Sequence, residues 1–135
     1  YCDYDNHVYY QATDRALHDV LEHCRKCTHV LVTNSDNSYH PEFLEKVLEA
    51  NQDLVAVDFV TQGQNVNVSL GVGGIDLGAV LFSKSILSRI GGYTQALPER
   101  ASPKDVHDAD YWFVQKGLDE GGSLVFLHSV LFYHH

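Results

Sequence analysis

Apolar residues return along this chain in two rhythms, and the rhythms alternate. Ala12, Ala16, Leu17, Val20, Leu21 and Cys24 recur at helical spacing, with Thr13 or Asp14 as the N-cap, so a helix is predicted to about residue 25. Residues 1–11 show no clean period and read as an irregular lead-in with a short strand at 8–10. Val30, Leu31 and Val32 form a short β-branched run without alternation, the mark of a strand buried on both faces. A polar stretch follows, then a helix over 41–50 with Phe43, Leu44, Val47 and Leu48 on one side and Pro41 at its first position. Residues 53–60 read as the next strand. Residues 61–74 are rich in Gly, Gln and Asn and read as a loop, with a short edge strand where Val66, Val68 and Leu70 alternate. Residues 77–82 are again a buried strand. Ser83 then caps a short helix that Gly91-Gly92 ends. A loop runs through Pro98 and Pro103 to a helix from about Asp105 to Leu118, stopped by Gly121-Gly122. Residues 124–127 and 130–133 close the chain as two strands or one bent strand. Strands alternating with helices imply parallel pairing.

The chain has 135 residues, 44% hydrophobic and 20% charged, which is one domain with enough apolar material for a core. Its formal net charge of −9, with no Lys/Arg cluster, argues against nucleic acid as a partner. No run approaches the roughly 20 apolar residues of a membrane span. The chain opens on Tyr1 rather than Met and is expected to be part of a larger domain. The three cysteines, Cys2, Cys24 and Cys27, do not suggest a disulfide framework. Cys24 and Cys27 have CxxC spacing without a second ligand pair at zinc-finger distance, so Cys24 is read as a buried structural residue and Cys27 as a helix-end residue.

The candidate chemistry begins after the first buried strand. In open α/β sheets ligands sit beyond the carboxyl ends of the strands, which is where Asp36 falls. A hard carboxylate there suits a divalent metal, although Asn34, Ser35, Asn37 and Ser38 are turn formers and Asp36 would equally cap a turn. Asp76 sits in a Gly turn before the strand at 77–82, where it suits a capping role. Asp108 and Asp110 lie at a helix start and are two residues apart, so their side chains diverge by about 200° and only one can enter a cleft easily. Asn67-Val68-Ser69 is a glycosylation sequon, relevant in the secretory pathway.

The order of these segments resembles the GT-A glycosyltransferases, especially the inverting family 2 type, from about Asp14 to His135. Val30 to Val32, Asn34-Ser35-Asp36 and His40-Pro41-Glu42-Phe43-Leu44 match the strand, the DXD motif and the helix that follows, with Asn34 standing where the first acid is usual. The resemblance implies a Rossmann-like, mostly parallel sheet flanked by helices, lacking the N-terminal half that binds the nucleotide base. It implies that Asp36 and His134 (or His135) hold Mn²⁺ or Mg²⁺. It implies that Asn34, Asp76, Gly74 and Trp112 border the substrates, although Trp112 also suits the core. It implies that Asp110, or second Asp108, is the general base. The implied partners are a nucleoside-diphosphate sugar and a hydroxyl acceptor on a glycan, lipid or protein. The other reading is a non-catalytic binding module on the same fold, which the amide at Asn34 favours. A His-rich metallohydrolase ranks last, since neither HExxH nor HxH is present.

Overall fold

Six strands form one sheet with helices on both faces in the computed structural model, which describes residues 3–135. Tyr1 and Cys2 lie outside the described residues. The strands are β1 (His29–Leu31), β2 (Ser38–Tyr39), β3 (Leu54–Thr61), β4 (Gln64–Val66), β5 (Val80–Ser83) and β6 (Leu124–His134). The helices are α1 (Asp3–His23), α2 (Phe43–Glu49), α3 (Lys84–Ile90), α4 (Tyr93–Ala96), α5 (Pro103–His107) and α6 (Ala109–Asp119). The strand order is β1-β5-β3-β6-β2, and β4 pairs with the far end of β3.

The fold is α/β, but the sheet is not mostly parallel. Of the five described pairings only β3 with β6 is parallel; β1–β5, β5–β3, β3–β4 and β2–β6 are antiparallel. The physical reason lies in the connections. β3 turns straight back into β4 through Gln62 (φ 50°) and Gly63 (φ 73°), the positive-φ pair that a tight hairpin needs. No crossover helix separates β3 from β5, only β4, a loop and a 3₁₀ turn at Leu77–Ala79. A parallel return would need such a crossover. β1, β3 and β6 nevertheless run the same way, so their carboxyl ends share one edge of the sheet.

Other elements depart from the sequence reading at their ends. α1 begins at Asp3 rather than near Asp14, and the strand expected at 8–10 is part of that helix. Pro41 precedes α2 in a turn, and β2 was not anticipated. The helix expected from Asp105 is two, with the break at Asp108 (φ −94°, ψ 23°). Residues 93–96, expected as loop, form α4. Ser83 caps α3 as expected, its hydroxyl accepting the Ile86 N–H at 3.2 Å. Cys24 and Cys27 are joined in a disulfide just past α1, so neither is the separate residue expected.

The core has two halves, one on each side of the sheet. Leu54, Ala56, Val80 and Phe82 pack with Leu17, Ile86, Leu87, Ile90, Phe113 and Val114 of α1, α3 and α6. Val55, Val57, Phe59, Leu81 and Phe132 pack with Phe43 and Val47 of α2. Asp53 ties three strands together, accepting from the Ser123 N–H at 3.1 Å and the Ser83 hydroxyl at 2.8 Å. β6 carries a bulge against β3: Leu127 faces Val57, but Val130 faces Asp58 and Phe132 faces Phe59.

Asp14, an N-cap candidate for the first helix, lies inside α1 and caps another helix. Its carboxylate accepts from the Tyr93 N–H at 2.5 Å, the Thr94 N–H at 3.1 Å and the Thr94 hydroxyl at 2.7 Å. Asp14→Ala is therefore expected to cost about 1–3 kcal/mol, since the N–H groups that open α4 lose their acceptor. Urea unfolding of the two proteins measures it, and a change below about 0.5 kcal/mol would remove the cap from the account.

Candidate functional site

The carboxyl ends of β1 and β6 and the turn before β5 enclose a pocket of about 290 Å³. Four residues singled out in the sequence line it: Asn34 from the loop after β1, Asp76 from the Gly turn, Asp110 from the first turn of α6 and His134 from the end of β6. Each arrives by a local device. Asp76 starts the 3₁₀ turn, its Oδ1 accepting the Gly78 N–H at 2.9 Å. Gly78 must lack a side chain, because a Cβ there would lie 2.4 Å from the Phe132 ring. The break at Asp108 starts α6 afresh and turns Asp110 inward, where its Oδ2 accepts the Leu77 N–H at 3.1 Å.

Asp76 and His134 form a close pair, Oδ2 to Nδ1 at 2.6 Å. An ionised carboxylate only accepts, so Nδ1 carries the proton in this bond and Nε2 is the ring nitrogen left facing away from Asp76. Metal-ligating histidines are commonly held in this way. Asp110 sits among the same groups. Burial, and then the negative charge of Asp76, push its carboxyl up to about 7, against partial relief from the Leu77 N–H and His134. Among the described residues no Lys or Arg lines the pocket.

Tyr39 links the polar loop to this turn. Its hydroxyl lies 2.9 Å from the Gly78 carbonyl and 2.7 Å from the Thr33 hydroxyl, so it donates to the first and accepts from the second. Burial pushes the Tyr39 hydroxyl pKa up, which keeps it a donor.

The other expected residues stand elsewhere. Asp36 is exposed in the loop and is not on the pocket wall. Among the described residues no three His, Cys, Asp or Glu side chains converge on one point. Asp108 turns to His107 Nδ1 at 3.1 Å. Trp112 packs edge-on against Tyr111. Gly74 serves its own loop, where a Cβ would lie 2.6 Å from the Ser69 carbonyl oxygen. His135 bonds to the Ser38 hydroxyl at 2.8 Å. No described helix is long and apolar enough to cross a membrane.

Other wall residues were not foreseen. Tyr10 and Tyr93 stack at 4.8 Å between ring centres. Asn37, read only as a turn former, also lines the wall, and its buried Oδ1 has no hydrogen-bond partner. The sequence signal for Asn37 was its place within the same polar loop as Asn34; nothing in the irregular stretch around Tyr10 announced a wall. The chain matches no protein-family model, no curated protein and no solved structure.

Proposed function

We propose that this pocket is the reaction centre of a metal-dependent, inverting glycosyltransferase domain of GT-A type, moving a sugar from a nucleoside-diphosphate sugar to a hydroxyl acceptor. One observation carries the reading. Asn34, Asp76, Asp110 and His134, chosen from motif order along the chain, line one pocket. Asp110 is the base. A carboxyl titrating near neutrality is suited to take the acceptor proton while the freed oxygen attacks the anomeric carbon. The sugar–phosphate C–O bond breaks, and its electron pair leaves with the diphosphate.

A divalent cation is part of this proposal and would rest on few protein ligands, since no three of the described His, Cys, Asp or Glu side chains converge. His134 offers Nε2, Asp76 fixes its ring, and Asp36 offers an exposed carboxylate in the adjoining loop. Mg²⁺ is commonly held by one or two carboxylates with water and substrate phosphates, so a full protein cage is not required. When bound, Mn²⁺ or Mg²⁺ would offset the charge of the leaving diphosphate, a role that no Lys or Arg on the wall can take. Asn34 contributes an amide facing the sugar nucleotide.

The test is calorimetric titration of UDP and GDP with and without Mn²⁺. Binding is expected to need the metal, to be lost in Asp36→Ala and His134→Ala, and to weaken about 10–100-fold in Asp76→Asn through its hold on His134. Equal nucleotide affinity with and without Mn²⁺ would sink the metal role. Absence of nucleotide binding both here and in a chain extended at its N-terminus would favour the second reading, a non-catalytic module, for which the uncharged Asn34 is the specific sign.

A further inference from the structure

We infer that Asn67 is a site of N-linked glycosylation. Asn67-Val68-Ser69 is the single Asn-x-Ser/Thr triplet with a non-proline centre in the chain. It begins one residue beyond β4, so Asn67 lies outside the sheet ladder. The local alternation suits the modification. Val68 is buried, and its N–H donates to the buried Asp58 carboxylate at 2.8 Å. Asn67 and Ser69, one residue to either side, are both exposed. A glycan on Asn67 therefore projects into solvent while Val68 keeps its anchor.

A second feature points independently to the same compartment. The Cys24–Cys27 disulfide belongs in an oxidising environment, because reducing cytosol keeps such thiols free. Its formation removes two electrons and two protons from the thiols, which a dithiol–disulfide oxidoreductase of the secretory pathway accepts. The glycan donor is a polyprenyl-diphosphate-linked oligosaccharide. The bond from sugar C1 to the diphosphate oxygen breaks, and its electron pair stays with the diphosphate. C1 joins Asn67 Nδ2, and one amide proton is released.

The experiment uses the protein purified from its own cells. Free thiols are alkylated before reduction, the chain is cut with trypsin, and the peptide spanning residues 47–84 is treated with peptide N-glycosidase. Asn67 read as Asp in most molecules, with Cys24 and Cys27 alkylated only after reduction, is the expected result. Unmodified Asn67 overturns the site. Glycosylated Asn67 beside free thiols at 24 and 27 overturns the disulfide as its companion. In a secretory host, Asn67→Gln and Ser69→Ala should each lose the glycan with unchanged far-ultraviolet circular dichroism, and Ser69→Thr should keep it. A glycan surviving in Ser69→Ala would also overturn the assignment.

Discussion

Asp110→Asn should melt at a higher temperature than the parent protein at pH 8 and at nearly the same temperature at pH 4. The carboxyl titrates at 3.8 in a model compound and at about 7 in the fold. Below about pH 4 the group is protonated in both folded and unfolded chains and contributes no difference. Between about pH 4 and pH 7 the unfolded chain releases this proton and the folded chain retains it, so stability falls as pH rises. Above about 7 the cost is complete. A difference of this size corresponds to about 4 kcal/mol at most, and water entering the open pocket lowers it towards about 2 kcal/mol. Asparagine keeps an oxygen for the Leu77 N–H and carries no charge. Thermal melts of both metal-free proteins from pH 4 to 8 measure the effect. Parallel curves across that range would show that Asp110 titrates as an ordinary carboxylate. The same substitution should abolish sugar transfer under the proposed mechanism, a gain in stability at the expense of function.

The second large effect is expected at Phe132. Its ring is fully buried, lies 5.1 Å from Tyr39 and 6.5 Å from Phe59 between centres, and fills the space against Gly78. Phe132→Ala should cost about 3–5 kcal/mol, the range for emptying a well-packed aromatic site. It should also loosen the Tyr39–Gly78 link and, through it, the turn that presents Asp76. Denaturant unfolding reads the first effect. The chemical shift and pKa of His134, followed by NMR, read the second. A stable variant with an unchanged His134 titration would separate the core role of Phe132 from the site.

Much of this architecture was legible from side-chain pattern. The continuous run at Leu54 to Val57 marked the central strand, Ser83 marked the start of α3, and the glycine at 91, with φ 88°, marked its end. Pairing direction was not legible, because it depends on which strands become neighbours, and the Gln62-Gly63 turn was hidden in a stretch rich in loop-forming residues. The start of α1 was also hidden, since residues 1–11 lack an apolar period. Asp14 shows how a local reading goes wrong. Its side chain suits capping, and it does accept from the first N–H groups of a helix, but one about eighty residues away in sequence. In the site, Asp76, Asp110 and His134 were reachable from motif order. Tyr10, Tyr93 and the buried face of Asn37 were not, because a pocket wall is a product of tertiary packing.

The bulge in β6 has a consequence for changes in chain length. Before it, residues of β6 and β3 pair at an offset of 70, as in Leu54 with Leu124; after it the offset is 73, as in Phe59 with Phe132. The added count is odd, so it exchanges the two sides of the strand. Phe132 and His134 thereby share a side with Phe59. Deleting one residue between Leu127 and Val130 would send the Phe132 ring towards α6 and carry His134 away from Asp76. Deleting two would leave the parity intact. Viable variants of this segment should therefore differ in length by even numbers, a rule of arithmetic imposed by the pleat.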